Sequence, residues 1–167
     1  GWALYPYEDR MKEIIHKIKF ERRRDLLPLF ETDLSCFFQS HKYSEAYDQV
    51  VSIPQDLTRR LEREFNQAEL IASIVRKVLG KKKKGAFLHK RRTLVQSLLG
   101  REARKLNLEN AFRAGRREKI ERKSFLLVDD VLTTGATLSE AAKTLKDAGA
   151  SLVHFLVLAR TSGPPPP

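Results

Sequence analysis

Apolar residues recur at helical spacing along the first forty positions. Met11, Ile14, Ile15 and Ile18 fall on one face of a 3.6-residue period, and Leu26, Leu27, Phe30, Leu34, Phe37 and Phe38 continue a second amphipathic segment, with Pro28 suited to a first turn. Two helices are therefore expected to open the fold. Residues 47–53 (YDQVVSI) are short, β-branched and closed by Pro54, which predicts a strand running into a loop. From Asn66, the residues Leu70, Ile71, Ile74, Val75, Val78 and Leu79 line one broad helical face that stops at Gly80. This helix reads as the crossover out of that strand. Residues 111–114 begin a short strand, 115–123 form a polar turn, 125–128 are a fully buried strand and 152–158 another. Such alternation of helices and strands predicts an α/β domain built on a largely parallel sheet.

A chain of 167 residues is the size of one domain with one core. We place that domain at residues 1–160 and read 161–167, ending in SGPPPP, as an extended tail outside the core. Residues 91–110 are polar, poorly periodic and too long for an ordinary connection, so they are expected to form a mobile loop over a site. The net charge of +11 points to a polyanionic partner or a phosphate-rich ligand and argues against a neutral sugar. Nine lysines or arginines and no acid lie between Arg76 and Arg92, including Lys81, Lys82, Lys83 and Lys84. They form either a solvated loop at a helix C-terminus, where cations complement the dipole, or a nucleic-acid patch. The lone Cys36 permits no internal disulfide and no cysteine-rich zinc site, and is expected to be a small buried hydrophobe beside Phe37 and Phe38. No apolar run is long enough to span a bilayer and no signal peptide is visible, so the cytoplasm is the expected compartment, with no membrane partner.

Residues 125–149 (FLLVDDVLTTGATLSEAAKTLKDAG) carry the chemistry. A buried strand is expected to end at Asp129 and Asp130, a loop to run from Val131 through Leu132, Thr133, Thr134 and Gly135 to Ala136, and a helix to start near Thr137. A second strand follows at once, which places the loop at the carboxyl edge of the sheet, where open α/β folds bind ligands. Hydroxyls and close-approaching N–H groups at a helix N-terminus suit a phosphate. The two carboxylates accept hydrogen bonds, so beside a phosphate they suit hydroxyl groups or, through water, a metal ion. A sugar phosphate satisfies both halves. Local rivals exist for several residues: Asp130 or Thr134 could cap the helix, Phe65, Asn66 and Gln67 could be a helix cap with Asn66 as N-cap or could face the ligand, and Lys19 could either bind ligand or simply end its helix. A receiver domain is excluded because too little chain follows Asp130, and a P-loop because the Walker lysine is missing. His16, His41, His89 and His154 show no metal-ligand spacing.

The decapeptide VDDVLTTGAT, residues 128–137, resembles the phosphoribosyl pyrophosphate signature of the type I phosphoribosyltransferases. Upstream and downstream segments (IKF at 18–20, SIP at 52–54, REFNQAELIA at 63–72, RRTLVQSLLGREARKLNLENAF at 91–112 and VHFLVLAR at 153–160) resemble the ComF/GntX branch, competence-associated members of that family. The branch usually has glycine where this chain has Glu64, and its members commonly begin with a four-cysteine zinc-binding segment. The resemblance implies a mainly parallel five-stranded sheet flanked by helices, with a small hood. It also implies binding of phosphoribosyl pyrophosphate with Mg2+, and a place in DNA uptake. Carried over residue by residue, Asp129 and Asp130 are expected to hold the ribose hydroxyls and, through ribose or water, the metal; they are the catalytic pair. The loop from Val131 to Thr137 is expected to cradle the 5′-phosphate. Ser52, Ile53 and Pro54, with Arg59, Arg60 and Arg63, are expected to face the pyrophosphate, and Arg92, Gln96 and Arg101 to belong to the hood.

Three functions follow as expectations. One is transfer of phosphoribosyl to an acceptor the sequence does not name, with release of pyrophosphate. The second is a ribose-phosphate-sensing regulator without turnover. The third is an adaptor touching single-stranded DNA and DNA-uptake proteins during natural transformation. A homodimer is a further expectation.

Overall fold

A computed structural model describes residues 1–41, 46–55, 65–82, 87–90 and 111–161. In chain order the described elements are β1 (Trp2–Pro6), α1 (Asp9–Phe20), α2 (Leu29–His41), β2 (Gln49–Ser52), α3 (Gln67–Val78), β3 (Leu88–Lys90), β4 (Phe112–Ala114), β5 (Ser124–Leu132), α4 (Ala136–Asp147) and β6 (Leu152–Arg160). Four strands form the main sheet in the order β1-β6-β5-β2, and every pairing in it is parallel. β3 and β4 form a separate antiparallel pair, with Lys90 opposite Phe112. The architecture is the α/β fold that the alternating pattern predicts, with four strands of the main sheet among the described residues.

Why the central strand reads as an unbroken apolar run is visible in its two faces. Leu126 and Val128 of β5 join Ile15 and Ile18 of α1, Phe30, Leu34 and Phe38 of α2, and Ile71 and Val75 of α3 in one core. Phe125 and Leu127 turn the other way, onto Leu138, Ala141 and Leu145 of α4 and onto Leu88 and Phe112 of the small sheet. A parallel strand covered by helices on both sides has no solvated face to keep polar, so alternation disappears. All four of these β5 residues are fully buried, each contributing on the order of 1.5–3 kcal/mol by leaving water.

Four expectations need correction. A strand, β1, precedes the two opening helices; it pairs in parallel with β6, placing Trp2 against Leu156 and Tyr5 against Ala159. β5 does not stop at the two acids but continues through Val131 and Leu132, because β6 is long enough to pair with it there, with Leu132 opposite Arg160. The connecting loop is accordingly only Thr133, Thr134 and Gly135, and α4 begins at Ala136. Cys36 is exposed: Phe30, Leu34 and Phe38 mark the inner face of α2 at four-residue steps, and Cys36 stands two residues out of phase with it. Residues 91–110 and 162–167 lie outside the described residues. Among the described residues no helix is long and apolar enough to cross a membrane.

Candidate functional site

Pleating decides how β5 presents its acids. Successive side chains alternate between faces, so Asp130 follows Leu126 and Val128 onto the side of α1, whereas Asp129 follows Phe125 and Leu127 onto the side of α4. Lys19, in the last turn of α1, reaches across so that its Nζ stands 3.0 Å from Asp130 Oδ2. The Asp130 backbone N–H donates to Asp129 Oδ1 at 2.9 Å. Both acids open into a cleft of about 300 Å³ at the carboxyl edge of the sheet, bordered also by Ile53 and Pro54 after β2, Thr133 and Thr137 beside α4, and Lys90 of β3.

Burial away from water, reinforced by the adjoining Asp130 carboxylate, pushes the Asp129 carboxyl up to about 7. The Asp130 N–H and the ammonium groups of Lys19 and Lys90 pull it the other way without cancelling the effect. A chain that holds a half-buried acid beside a second one bears a cost in stability, and that pattern marks functional sites more often than structural ones.

The wall of the cleft beyond the two acids is built from the turn into α4. Gly135 takes φ 76°, in the left-handed region, and serves as the N-cap without a side chain, so it cannot satisfy the first N–H groups of the helix as Ser or Asp would. Thr134 Oγ1 accepts from the Ala136 N–H only at 3.4 Å. Val131, Leu132, Thr133, Thr134, Gly135, Ala136, Thr137 and Leu138 surround a small hollow of about 40 Å³ that Asp129 closes at one end. A hollow of that size admits one tetrahedral group beside exposed helix-start donors. Asp130 lies within the strand and pairs with Lys19, so helix capping is not its role.

On the β2 side, the residues after the strand are tied to α3. Ile53 N–H donates to Val128 O at 2.9 Å, continuing the ladder past β2, and Asn66 Nδ2 donates to Ile53 O at 2.9 Å. Asn66 is also the N-cap of α3, its Oδ1 accepting from the Ala68 N–H at 3.1 Å. Both bonds are structural, so Asn66→Ala is expected to lower stability by about 1 kcal/mol in urea unfolding. An unchanged unfolding midpoint would instead return Asn66 to the ligand. The Ser52 hydroxyl is turned away from the cleft and donates to Glu69 Oε2 at 2.6 Å. Glu69 Oε1 in turn accepts from Arg76 Nη2 at 2.7 Å, and Arg76 Nη1 donates to Val50 O at 3.1 Å. Arg76 is therefore buried inside the fold and takes no part in a basic surface.

Gln55 and Gln67 meet inside the same cleft, the Gln55 Nε2 donating to Gln67 Oε1. That single bond leaves Gln55 Oε1 and Gln67 Nε2 buried and without a partner. An amide pair always keeps one donor and one acceptor in reserve, whichever way each is turned. Among the described residues no group of three or more His, Cys, Asp and Glu side chains could hold a metal ion. The oxygens of Asp129 and Asp130 could nonetheless hold a hydrated magnesium ion, since Mg2+ keeps several waters and prefers oxygen partners.

Of the expected site residues, Asp129, Asp130, Ile53, Pro54 and the 131–137 loop come together at one edge of the sheet, and Ser52 is engaged elsewhere. Arg59, Arg60, Arg63, Arg92, Gln96 and Arg101 lie outside the described residues. The cleft also contains Lys19 and Gln67, which the sequence left open between a ligand role and a structural one, and Lys90 and Gln55, which it did not single out as ligand residues. The signals were a lone lysine inside IKF for Lys19 and, for Gln67, its place in the FNQ segment at the start of a helix whose buried face is otherwise apolar.

Residues 56–165 match the model of the phosphoribosyl transferase domain. The chain is 31% identical over 159 residues to the DNA utilization protein YhgH of Escherichia coli K12, an alignment covering 93% of this chain and 69% of that protein. It is 33% identical over 159 residues to the competence protein ComFC of Streptococcus pneumoniae, covering 95% and 67%. Against the competence protein ComFC of Bacillus subtilis the identity is 28% over 162 residues, covering 93% and 62%.

Proposed function

Since this chain belongs to the type I phosphoribosyl transferase family, in its ComF branch, we propose that it binds phosphoribosyl pyrophosphate with magnesium and transfers the phosphoribosyl group to an acceptor, releasing pyrophosphate. One observation carries this reading: a strand delivers two adjacent carboxylates to the cleft, and the next three residues turn straight into helix-start N–H donors. Hydroxyls and a phosphate joined through a pentose span those two features.

In this reading Asp129 and Asp130 grip the ribose hydroxyls and orient the ring, and Thr133, Thr134, Gly135, Ala136 and Thr137 hold the 5′-phosphate. A fixed ring presents C1 to the incoming nucleophile as its bond to pyrophosphate breaks. No protein nucleophile is needed; the chain contributes positioning and charge. Magnesium, when bound, neutralises the departing pyrophosphate. The residues after β2, with Ile53 held by Asn66 and Val128, form a preset wall on that side of the cleft.

Calorimetry with phosphoribosyl pyrophosphate and magnesium tests binding, and a pyrophosphate-release screen across bases and amines tests turnover and identifies the acceptor. A chain that gives no heat with this ligand at any magnesium concentration would remove the proposal. Binding without pyrophosphate release would leave a sensor.

A second reading concerns DNA and is favoured by the charge of +11 together with the names of the relatives, which speak of DNA utilization and competence. The basic stretch is not one patch: Arg76 is buried, Lys77 pairs with Glu31 at 2.6 Å and Lys90 lines the cleft. That leaves Lys81 to Lys84 together with Arg91 and Arg92, and the four consecutive lysines are the natural point of attachment for single-stranded DNA. Replacing all four with Ala is expected to weaken binding of a single-stranded oligonucleotide and to flatten its log–log salt dependence by about 0.7 for each phosphate no longer neutralised. Ligand binding at the cleft should be intact. An unaltered salt slope would retire these four lysines as a DNA-binding element.

A further inference from the structure

The cleft holds a cation that the reading above leaves without a task. Lys19 and Lys17 share the last turn of α1, yet they behave differently. Lys17 pairs with Glu13 on the open surface, with side-chain exposures of 37% and 63%. Lys19 is drawn under the sheet edge to Asp130, where the two exposures fall to 20% and 17%. Taking both charges largely out of water to make one ion pair is close to break-even as a stabilising device. A second partner for the ammonium gives the placement a purpose, and Asp130 occupies only one of its three N–H donors.

Chemistry supplies that partner. If the carboxylates grip the ribose hydroxyls, as proposed above, then C1 is next to them, because C1 is bonded to the carbon that carries the 2-hydroxyl. Any group on C1 sits beside the acid pair. A pyrophosphate there brings several negative charges to a place that already holds two carboxylates, so a protein cation beside it adds to the charge that magnesium would supply. Lys19 makes an ion pair with one member of the acid pair, and Lys90 stands in the same cleft and acts on the other.

We propose that Lys19, held ready by Asp130, recognises the pyrophosphate on C1 and so makes the cleft prefer phosphoribosyl pyrophosphate over ribose 5-phosphate. This assignment rests on the sugar-phosphate reading of the site. It differs from a purely structural role in one measurable respect: it concerns only the group on C1.

The test is titration of the wild-type chain, Lys19→Met and Lys19→Arg with each of the two ligands at fixed magnesium. Lys19→Met is expected to bind phosphoribosyl pyrophosphate about ten- to a hundredfold more weakly, the scale of one charge-assisted hydrogen-bond partner, with ribose 5-phosphate changed by less than about twofold. Lys19→Arg should recover most of the loss. Should Lys19→Met fail to fold, Lys19→Gln carries the same expectation with a neutral donor in place. Equal weakening of both ligands would show that Lys19 acts only by holding Asp130, and would overturn the proposal. So would a Lys19→Met chain that keeps the wild-type preference. A wild-type chain that binds ribose 5-phosphate but does not prefer the pyrophosphate leaves the sugar site standing and removes Lys19; one that binds neither ligand removes both.

Discussion

The double substitution Asp129→Asn, Asp130→Asn is expected to abolish the thermal stabilisation that phosphoribosyl pyrophosphate and magnesium give the wild-type chain. A ligand at a hundredfold excess over its dissociation constant stabilises the native state by about 2.7 kcal/mol, which for a domain of this size corresponds to a rise in Tm of roughly 5–10 °C. Each carboxylate that accepts a ribose hydroxyl contributes on the order of 1.5–3 kcal/mol as a charged hydrogen-bond acceptor, so losing both weakens binding by at least about a hundredfold and takes the shift below detection. The fold should survive, because Asn matches Asp in volume and its carbonyl can still accept from the Asp130 N–H, the bond that runs at 2.9 Å in the wild type. Lys19 would lose its carboxylate, yet it retains access to water through the cleft. Differential scanning fluorimetry with and without ligand reads the outcome. A double variant that shifts as far as the wild type would reject the ribose assignment for both acids.

The arrival of two acids at the carboxyl edge of the sheet was the most legible part of the chain, and the reason is geometric. A parallel strand buried on both faces must be continuously apolar, so two acids at the end of such a run stand out, and a Thr-Gly turn followed by a helix explains where they point. The helix from Gln67 was equally readable, from its Asn cap to its broad apolar face. Local pattern fails where a residue's environment comes from far along the chain. Residues 2–6 (WALYP) become a strand only because β6, some 150 positions away, offers an unpaired edge. Arg76 sits in a basic run, and nothing local says that Glu69 and the Val50 carbonyl will bury it. The exposed Cys36 is a different case: the four-residue steps of α2 already excluded it from the core, and its aromatic neighbours drew attention away from that phase. Lys19 combines both difficulties, since its meaning depends on an acid more than a hundred residues later.

Stability should fall as pH rises through neutrality, and Asp129→Asn should remove that fall. Burial and the adjoining Asp130 carboxylate hold the Asp129 carboxyl up to about 7, against an ordinary value of 3.8. Between those two values the native chain keeps a proton on Asp129 that the unfolded chain has released, so the native state binds more protons and unfolding becomes easier with each step upward in pH. The effect is absent below the unfolded value, grows across the window from about 4 to 7, and is complete above it. Its full size is on the order of 2–4 kcal/mol. Asn cannot ionise, so urea unfolding of Asp129→Asn should match the wild type near pH 4 and exceed it near pH 8. Parallel stability curves from pH 4 to 8 would show that Asp129 is ionised at its ordinary value and that the site bears no such penalty. Ligand binding should run in the opposite direction. A ribose hydroxyl donates best to an ionised carboxylate, so affinity for phosphoribosyl pyrophosphate is expected to strengthen through the same interval in which the empty protein loses stability. In the proposed reading, the charge that destabilises the empty cleft is the charge the sugar hydroxyls would stabilise by hydrogen bonding, a reason for the fold to retain two adjacent acids near the end of its most buried strand.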